Sequence, residues 1–277
     1  MDDNIGSGMN EARAAANDPR LRRAKTYPYP RPPHSFLFAN ATPRPLPEPT
    51  VEAIDGALVE LGAAPLAERV AVIAHGSNAA PEALARKYGA FPGDPAIPVI
   101  RARLGGFDVV YATHVSSYGS IPSTLAPSPG TVVETAITLL APDQLDLMHG
   151  SELSAGNYVY GRLDGLALDL EGLGRRASAF AYLTRRGCLG IAAGAPLALA
   201  QIKARGRRFA QAGKVEVLAL ARDFLAPGAD LDTFIAAIID DADYRRAVAA
   251  RLRARAVGGP PPGFVALAAM DEIPEGS

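Results

Sequence analysis

The pattern of hydrophobic and polar positions differs between three parts of the chain. Between about residues 68 and 190, short apolar runs alternate with polar segments, which predicts strands mixed with short helices. After Pro196 the apolar positions recur at helical spacing, and we predict helices over 197–211, 232–240 and 244–255. Residues 1 to about 50 show little periodicity and are rich in proline, which favours extended chain over helix or sheet.

The central region carries clear strand signals. The continuous apolar run over 70–74 predicts an internal strand, because strands buried on both faces lack polar alternation. Gly105 and Gly106 separate two apolar segments, 98–104 and 107–113, and predict a tight hairpin. The other predicted strands cover 131–140, 158–170 and 178–183, and the predicted short helices cover 50–61, 81–88 and 142–148. These elements predict a mixed α/β or α+β core.

The same patterns predict four consecutive parts. They are a Pro-rich extended arm over 1–50, a core over 51–190, a helical extension packed on that core over 191–257, and a tail over 258–277. Two interpretations of the arm stay open. It lies along the core with the apolar residues 36–38 as an anchor, or it is a disordered tail.

Composition and charge narrow the class of protein. Lys and Arg (28) nearly balance Asp and Glu (29) among 277 residues, which argues against nucleic acid as the main partner. A single cysteine, Cys188, excludes an intrachain disulfide framework and is typical of a reducing compartment. The N-terminus shows no signal-peptide pattern, and the longest apolar run, 187–202, is broken by glycine and proline. We expect a cytoplasmic protein that does not bind a membrane, and its oligomeric state stays open.

No cofactor motif is visible in the sequence. The four histidines are far apart, and none has a histidine or cysteine three or four residues away, so we expect no metal. Neither a P-loop nor a dinucleotide-binding glycine motif is present, and we expect no other cofactor. The turn at Gly76, between a predicted strand and a predicted helix, offers backbone N–H groups to an anion such as a carboxylate or oxyanion.

A serine hydrolase is one interpretation of the loop at 75–78. Ser77 would be the nucleophile, and the available partners are His114, His149, Asp108 and Asp146. The G-x-S-x-G motif of many serine hydrolases is absent around Ser77. The stronger interpretation is that Ser77 and Asn78 cap the following helix through side-chain hydrogen bonds.

One carboxylate, Glu152, has a candidate catalytic position. It follows the predicted helix over 142–148, whose C-terminus carries partial negative charge. If Glu152 is also partly buried, its pKa should be raised, as a general base near neutral pH requires. On this local pattern alone, an exposed glutamate in a turn is favoured.

Several short segments stand in one order between about residues 70 and 185. They are IAHGSN at 73–78, YGSIPSTLAPSPG at 118–130, TVVETAITLLAPDQLDLM at 131–148, Ser151-Glu152 with Tyr158 six residues on, and FAYL at 180–183. In this order they resemble the γ-glutamylcyclotransferase-like family, which includes the AIG2-like proteins. The resemblance covers less than half of the chain. Each segment alone is a weak match, and it is their common order and spacing that is specific to the family.

Two positions depart from the family pattern. His75 replaces the usual tyrosine of the Y-G-S-N loop, and Leu153 replaces the glycine after the family's glutamate. The C-terminal helical region is not part of the minimal family core, so the substrate need not be the common one.

The resemblance implies a fold, a reaction and a set of site residues. The fold is α+β, with a mixed, barrel-like sheet and short helices. In the reaction, the α-amine of a γ-glutamyl group attacks its own γ-carbonyl, giving 5-oxoproline and a free amine or peptide. The implied roles are general acid/base for Glu152, anion binding by the N–H groups of Gly76, Ser77 and Asn78, and pocket lining by Tyr158 and Tyr182. His75 donates a hydrogen bond or only packs.

A second class of function stays open beside the enzyme. The departures at His75 and Leu153, with the Pro-rich and Arg-rich extensions, also suit a non-catalytic binding or interaction module on the same fold. In both interpretations the expected ligand is a small molecule.

Overall fold

The computed structural model describes residues 18–191 and 194–267. The first seventeen residues of the predicted arm and the last ten of the predicted tail lie outside the described residues. The helices are α1 (Pro19–Thr26), α2 (Val51–Glu60), α3 (Pro81–Tyr88), α4 (Pro142–Leu153), α5 (Lys214–Leu225), α6 (Leu231–Asp240) and α7 (Ala242–Arg253). None of the helices in the described ranges has the length and apolar character needed to cross a bilayer.

The strands fall into five long or central ones and several short ones. They are β1 (Phe36–Ala39), β2 (Thr42–Pro45), β3 (Val70–Ile73), β4 (Ile97–Tyr111), β5 (Ser123–Leu140), β6 (Tyr158–Leu170), β7 (Gly174–Thr184), β8 (Cys188–Leu189), β9 (Ala198–Leu199), β10 (Ala204–Arg205), β11 (Gln211–Ala212), β12 (Ala256–Val257) and β13 (Phe264–Ala266).

Five strands form a closed, barrel-like sheet. β3 pairs with β5 antiparallel and with β7 parallel, β7 pairs with β6, β6 with β4, and β4 returns to β5. Closure leaves no free edge between these strands, and the apolar side chains that point inward form the core. The predicted α+β fold with a barrel-like sheet is confirmed.

The hairpin predicted at Gly105 and Gly106 is wrong. β4 runs through both glycines without a turn, and its register against β5 shifts between Gly105 and Phe107. Gly106 has φ +81°, a backbone conformation that side chains disfavour. The two glycines therefore form a β-bulge, which bends a long strand around the barrel.

The helix predicted over 197–211 is also wrong. This segment contains the short strands β9, β10 and β11, which pair with one another or with β4 and β5. Its apolar residues Leu197, Leu199 and Ile202 are buried against the barrel, and Gly206 has φ +67°. The helices α6 and α7 agree with the predictions for 232–240 and 244–255, and their buried faces join the barrel core in one cluster.

Within the described residues, the arm contains regular structure. The expectation of extended chain rather than helix or sheet is wrong for α1 and for the β1–β2 hairpin. Asp18 caps α1 by accepting a hydrogen bond from the Arg20 N–H at 2.8 Å, and Pro19 occupies the first turn. The anchor at 36–38 is present, because β1 is buried and pairs with β4. The division into arm, core, extension and tail stays a prediction.

Candidate functional site

A cavity of about 1100 Å³ lies where β3 ends, beside α3, α4 and α7. Its walls include all of the predicted site residues, namely His75, Gly76, Ser77, Asn78, Glu152, Tyr158 and Tyr182. Residues separated by more than a hundred positions in the sequence therefore share one cavity. Among the described residues, no group of three metal-ligating side chains occurs.

Glu152 contacts the 75–78 loop directly. Its Oε1 accepts hydrogen bonds from the Asn78 side-chain amide at 3.1 Å and from Lys87 Nζ at 2.5 Å. Lys87 Nζ also donates to Asn78 Oδ1 at 3.0 Å, which closes a three-membered network. The carboxylate side chain is only 18% exposed, so it faces the cavity and not bulk solvent.

Helices α3 and α4 hold this network in place. The Tyr88 hydroxyl donates to the Gln144 carbonyl at 2.9 Å, and Leu84, Tyr88, Met148 and Leu153 share one buried cluster. Lys87, one residue before Tyr88, is thereby directed at the last turn of α4. The contact follows from the packing of two helices, not from a local sequence pattern.

The expectation about the pKa of Glu152 is wrong. α4 continues through Gly150 to Leu153, so Glu152 lies in its last turn and not beyond its end. Burial raises the pKa of Glu152, but the charge of Lys87 and the hydrogen bonds from Lys87 and Asn78 lower it and together outweigh burial. The pKa therefore lies below its ordinary value, and Glu152 is an ionised carboxylate at neutral pH.

His75 is bound to the barrel through both ring nitrogens. Nε2 lies 2.9 Å from the carbonyl oxygen of Tyr182, and Nδ1 lies 3.2 Å from Ser123 Oγ. Burial lowers the pKa of His75, so the ring is neutral, with Nε2–H donating to Tyr182 and Nδ1 accepting from the Ser123 hydroxyl. His75 thus fastens the loop to β5 and β7, and neither nitrogen is left for another partner in this arrangement.

Tyr27 and Ser123 approach the backbone of Gly76 so closely that no side chain fits at this position. A Cβ at this position would lie 2.5 Å from Tyr27 Oη and 2.8 Å from Ser123 Oγ. The guanidinium of Arg31 donates from Nη2 to the carbonyls of His75 at 3.1 Å and Gly76 at 2.6 Å. The carbonyls of the loop are therefore held by the arm.

The N–H groups of the same loop remain available. Those of Gly76, Ser77 and Asn78 donate to no acceptor within the described ranges. A short 3-10 turn over Ser77–Ala79 precedes α3, whose N-cap position is Ala80 and has no side-chain cap. The capping interpretation of Ser77 and Asn78 is therefore wrong, since Asn78 instead bonds Glu152 and Lys87.

The two predicted tyrosines have different partners. The Tyr158 hydroxyl donates to the Ser123 carbonyl at 2.8 Å, and the Tyr182 hydroxyl lies 2.8 Å from His149 Nδ1. Burial raises the pKa of both phenols above the ordinary value, so both are neutral. Their rings form part of the cavity wall, and their hydroxyl groups are already hydrogen-bonded within the protein.

The serine hydrolase interpretation finds no assembled triad among the described residues. Neither His114 nor His149 hydrogen-bonds Ser77. Asp108 is bound by Arg207 at 2.9 Å through both carboxylate oxygens, away from either histidine. Ser77 lacks the base that activation of its hydroxyl requires.

Sequence reasoning missed Lys87 and Arg31. Lys87 lies 65 positions from Glu152, and Arg31 lies in the Pro-rich segment for which the sequence predicts extended chain. No local pattern announces either contact. The sequence pattern of α3 predicts that Lys87 lies near the end of that helix, but not which residue it contacts.

The buried histidines predict an acid-sensitive fold. Burial lowers the pKa of His75, and burial together with Arg186 lowers that of His114 to about 3. Below about pH 6.5 the unfolded chain protonates both rings while the folded chain does not. The unfolded state then binds more protons, so the free energy of unfolding falls as pH falls, by about 1.4 kcal/mol per pH unit for each ring.

Urea unfolding of the full chain at a series of pH values from neutral to about pH 4 measures this slope. The variant His114→Phe should give a shallower slope over the same window, because one of the two rings is gone. Stability that stays constant across the window, or the same slope in the variant, contradicts the assignment.

Comparisons with known proteins give similar solved structures. No protein-family model matches the chain, and no curated protein matches it. A structure of gamma-glutamyl cyclotransferase matches at 17% identity and a TM-score of 0.33, covering 42% of this chain and 67% of that one. The solution structure of an Arabidopsis thaliana protein matches at 17% identity and 0.31, covering 42% and 69%.

An uncharacterized protein of Homo sapiens matches over a longer range than these two. It is 15% identical with a TM-score of 0.35, and the match covers 74% of this chain and 98% of that one.

Proposed function

We propose that the chain converts a γ-glutamyl amide into 5-oxoproline and a free amine. The α-amine nitrogen of the γ-glutamyl group forms a bond to its own γ-carbonyl carbon, and the bond from that carbon to the amine nitrogen breaks. The α-ammonium loses two protons in all, one before the attack and one as the ring amide forms, and both end on the leaving nitrogen, which departs as an ammonium ion. One observation carries the proposal: Glu152 and the Asn78 side chain meet at 3.1 Å in one cavity, although 74 positions separate them.

Glu152 is the proposed proton carrier. It is ionised at neutral pH and therefore able to accept a proton. The ammonium of Lys87 donates a hydrogen bond to its Oε1. The α-ammonium of a γ-glutamyl group carries the same N–H donors and would bind the carboxylate in the same way. An ammonium buried in the cavity has a lower pKa than one in water. The difference between its pKa and that of Glu152 is therefore smaller, which favours proton transfer to Glu152. The carboxylic acid so formed then protonates the leaving nitrogen.

The loop is the proposed site for the γ-carbonyl oxygen. Its N–H groups at Gly76, Ser77 and Asn78 have no acceptor among the described residues and can stabilise the developing negative charge. The nucleophile belongs to the substrate, so no serine or cysteine has to be activated. The protein supplies a folded substrate conformation, which intramolecular attack needs in order to benefit from proximity. Tyr158 and Tyr182 would form the walls that hold it.

Lys87 is the proposed positioning residue for Glu152. In Lys87→Met the carboxylate stays buried but loses its nearest positive charge, so the pKa of Glu152 rises. The acidic limb of the pH profile of kcat/KM should therefore move to higher pH. Lys87→Arg keeps the charge and should restore most of the original profile. An unchanged acidic limb in Lys87→Met contradicts this role.

A non-catalytic binding module is the second candidate. It is favoured by the same ion pair, because Lys87 bonds at 2.5 Å the one carboxylate that the described residues place on the cavity wall. A thermal-shift series with γ-glutamyl amines separates the two candidates. Stabilisation of the full chain by a ligand that yields no 5-oxoproline supports the binding module, and turnover of that ligand excludes it.

A further inference from the structure

The cavity wall carries a large excess of positive charge. Among the described residues, seven basic side chains line it, against the single carboxylate of Glu152; they are Arg23, Arg86, Lys87, Arg186, Arg245, Arg246 and Arg253. A γ-glutamyl group brings one ammonium and one carboxylate, so it adds no net charge. Arg86 and Arg246 already pair with Glu82 and Asp243, which lie outside the cavity wall. Within the described ranges no carboxylate pairs with Arg23, Arg245 or Arg253, and binding of a γ-glutamyl group alone leaves these three charges uncompensated.

Arg86 and Lys87 lie on α3. Four of the other basic side chains come from different elements, and we call these four the arginine wall. They are Arg186, in the turn after β7, and Arg245, Arg246 and Arg253 on α7. Arg246 pairs with Asp243, and Arg245 donates to the carbonyls of Ile238 and Ile239. No carboxylate within the described ranges pairs with Arg245 or Arg253.

A buried, unpartnered nitrogen lies beside the arginine wall. His114 is 3% exposed and lines the same cavity, and its Nδ1 bonds no atom of the described residues. Arg186 and Arg253 are near enough to contribute to lowering the pKa of His114, after burial, so the ring is neutral and can donate one N–H. Unsatisfied buried polar atoms are rare in folded proteins, and one on a cavity wall marks a place for a ligand atom.

We propose that the arginine wall binds an anionic group, a carboxylate or a phosphate, on the amine portion of the substrate. Guanidinium groups match both anions through paired N–H donors, and the neutral His114 ring adds a further donor. Bound in this way, the anion balances the positive excess that the γ-glutamyl group leaves. The inference rests on the proposed function, because it assigns the second half of the same substrate.

Two matched pairs of substrates test the inference. γ-Glutamyl-β-alanine is compared with its uncharged amide, and the phosphate ester of γ-glutamyl-ethanolamine with γ-glutamyl-ethanolamine itself. The full chain should favour the charged member of a pair by about tenfold or more in kcat/KM, as expected for charge-assisted hydrogen bonds. The pair with the larger preference identifies the anion as carboxylate or phosphate.

Variants on one helix supply the control. Combined replacement Arg246→Gln and Arg253→Gln should reduce the preference to near unity. Arg251→Gln should leave it unchanged, because Arg251 is on α7 too but donates to the Leu225 carbonyl and is not on the cavity wall. Equal kcat/KM for both members in the unaltered chain, or equal losses in the two sets of variants, overturns the inference.

Calorimetric titration keeps this test independent of the reaction. If none of the four compounds yields 5-oxoproline, the proposed function fails, and the affinities of the same pairs still test the anion site. About tenfold tighter binding of a charged member, abolished by the combined variant only, supports the site. Equal affinities within both pairs overturn it.

Discussion

Replacement of Glu152 by glutamine is expected to lower kcat/KM for 5-oxoproline formation by about 10²- to 10⁴-fold, the range typical of general acid–base groups. The amide keeps the size of the side chain but cannot accept the proton of the α-ammonium. It also cannot return a proton to the leaving amine, so both halves of the proposed transfer are lost. Ligand binding should persist, since the loop N–H groups and the cavity walls are unchanged.

Two measurements accompany this variant. Glu216→Gln is the matched control, because Glu216 bonds the Gly213 N–H at the start of α5 and is not on the cavity wall. Thermal unfolding of both variants shows whether Lys87 without its carboxylate weakens the fold. Activity of Glu152→Gln within about threefold of the unaltered chain removes the proposed role of Glu152.

Replacement of Arg207 by glutamine is expected to lower the free energy of unfolding by about 3–5 kcal/mol, the cost of leaving a buried charge without its partner. Asp108 lies in β4 with no exposed surface, and Arg207 binds both of its oxygens at 2.9 Å. After the replacement, the Val109 N–H is the one donor to this carboxylate that remains among the described residues.

Urea unfolding of the full chain measures this loss. Arg208→Gln is the neighbouring control, since Arg208 is exposed and only contacts the Pro129 carbonyl at 3.3 Å. It should change the free energy of unfolding by less than about 0.5 kcal/mol. The ion pair joins the 198–212 segment to β4 of the barrel. A loss below about 1 kcal/mol in Arg207→Gln would contradict a stabilising role for this pair.

The sequence was sufficient to predict features that depend on neighbouring residues. The apolar run of β3, the loop after it and α3 follow from local patterns, and the ordered motifs placed Glu152 near that loop. Local patterns also misled, because apolar residues at helical spacing over 197–211 are equally suited to short strands packed on a barrel. Arg207, in the same segment, pairs with the buried Asp108 across 99 positions, a contact that no local pattern indicates.

Features that depend on contacts distant in sequence could not be predicted. Lys87 meets Glu152 only because α3 packs on α4, and this contact reverses the expected direction of the pKa of Glu152. The pairing of β4 with both β5 and β6 closes the barrel, and a strand sequence does not specify its partner. The arginine wall likewise joins α7 to the turn after β7.

The most direct test of the proposed reaction is the identity of its products. The chain of 277 residues is incubated with γ-glutamyl-β-alanine in heavy-oxygen water, and the products are analysed by mass spectrometry. We predict equal amounts of 5-oxoproline and β-alanine without incorporated heavy oxygen, because the nucleophile is the substrate's own amine. Glutamate carrying heavy oxygen would instead show hydrolysis by water, and tight binding with neither product would show a binding module; either result contradicts the proposal.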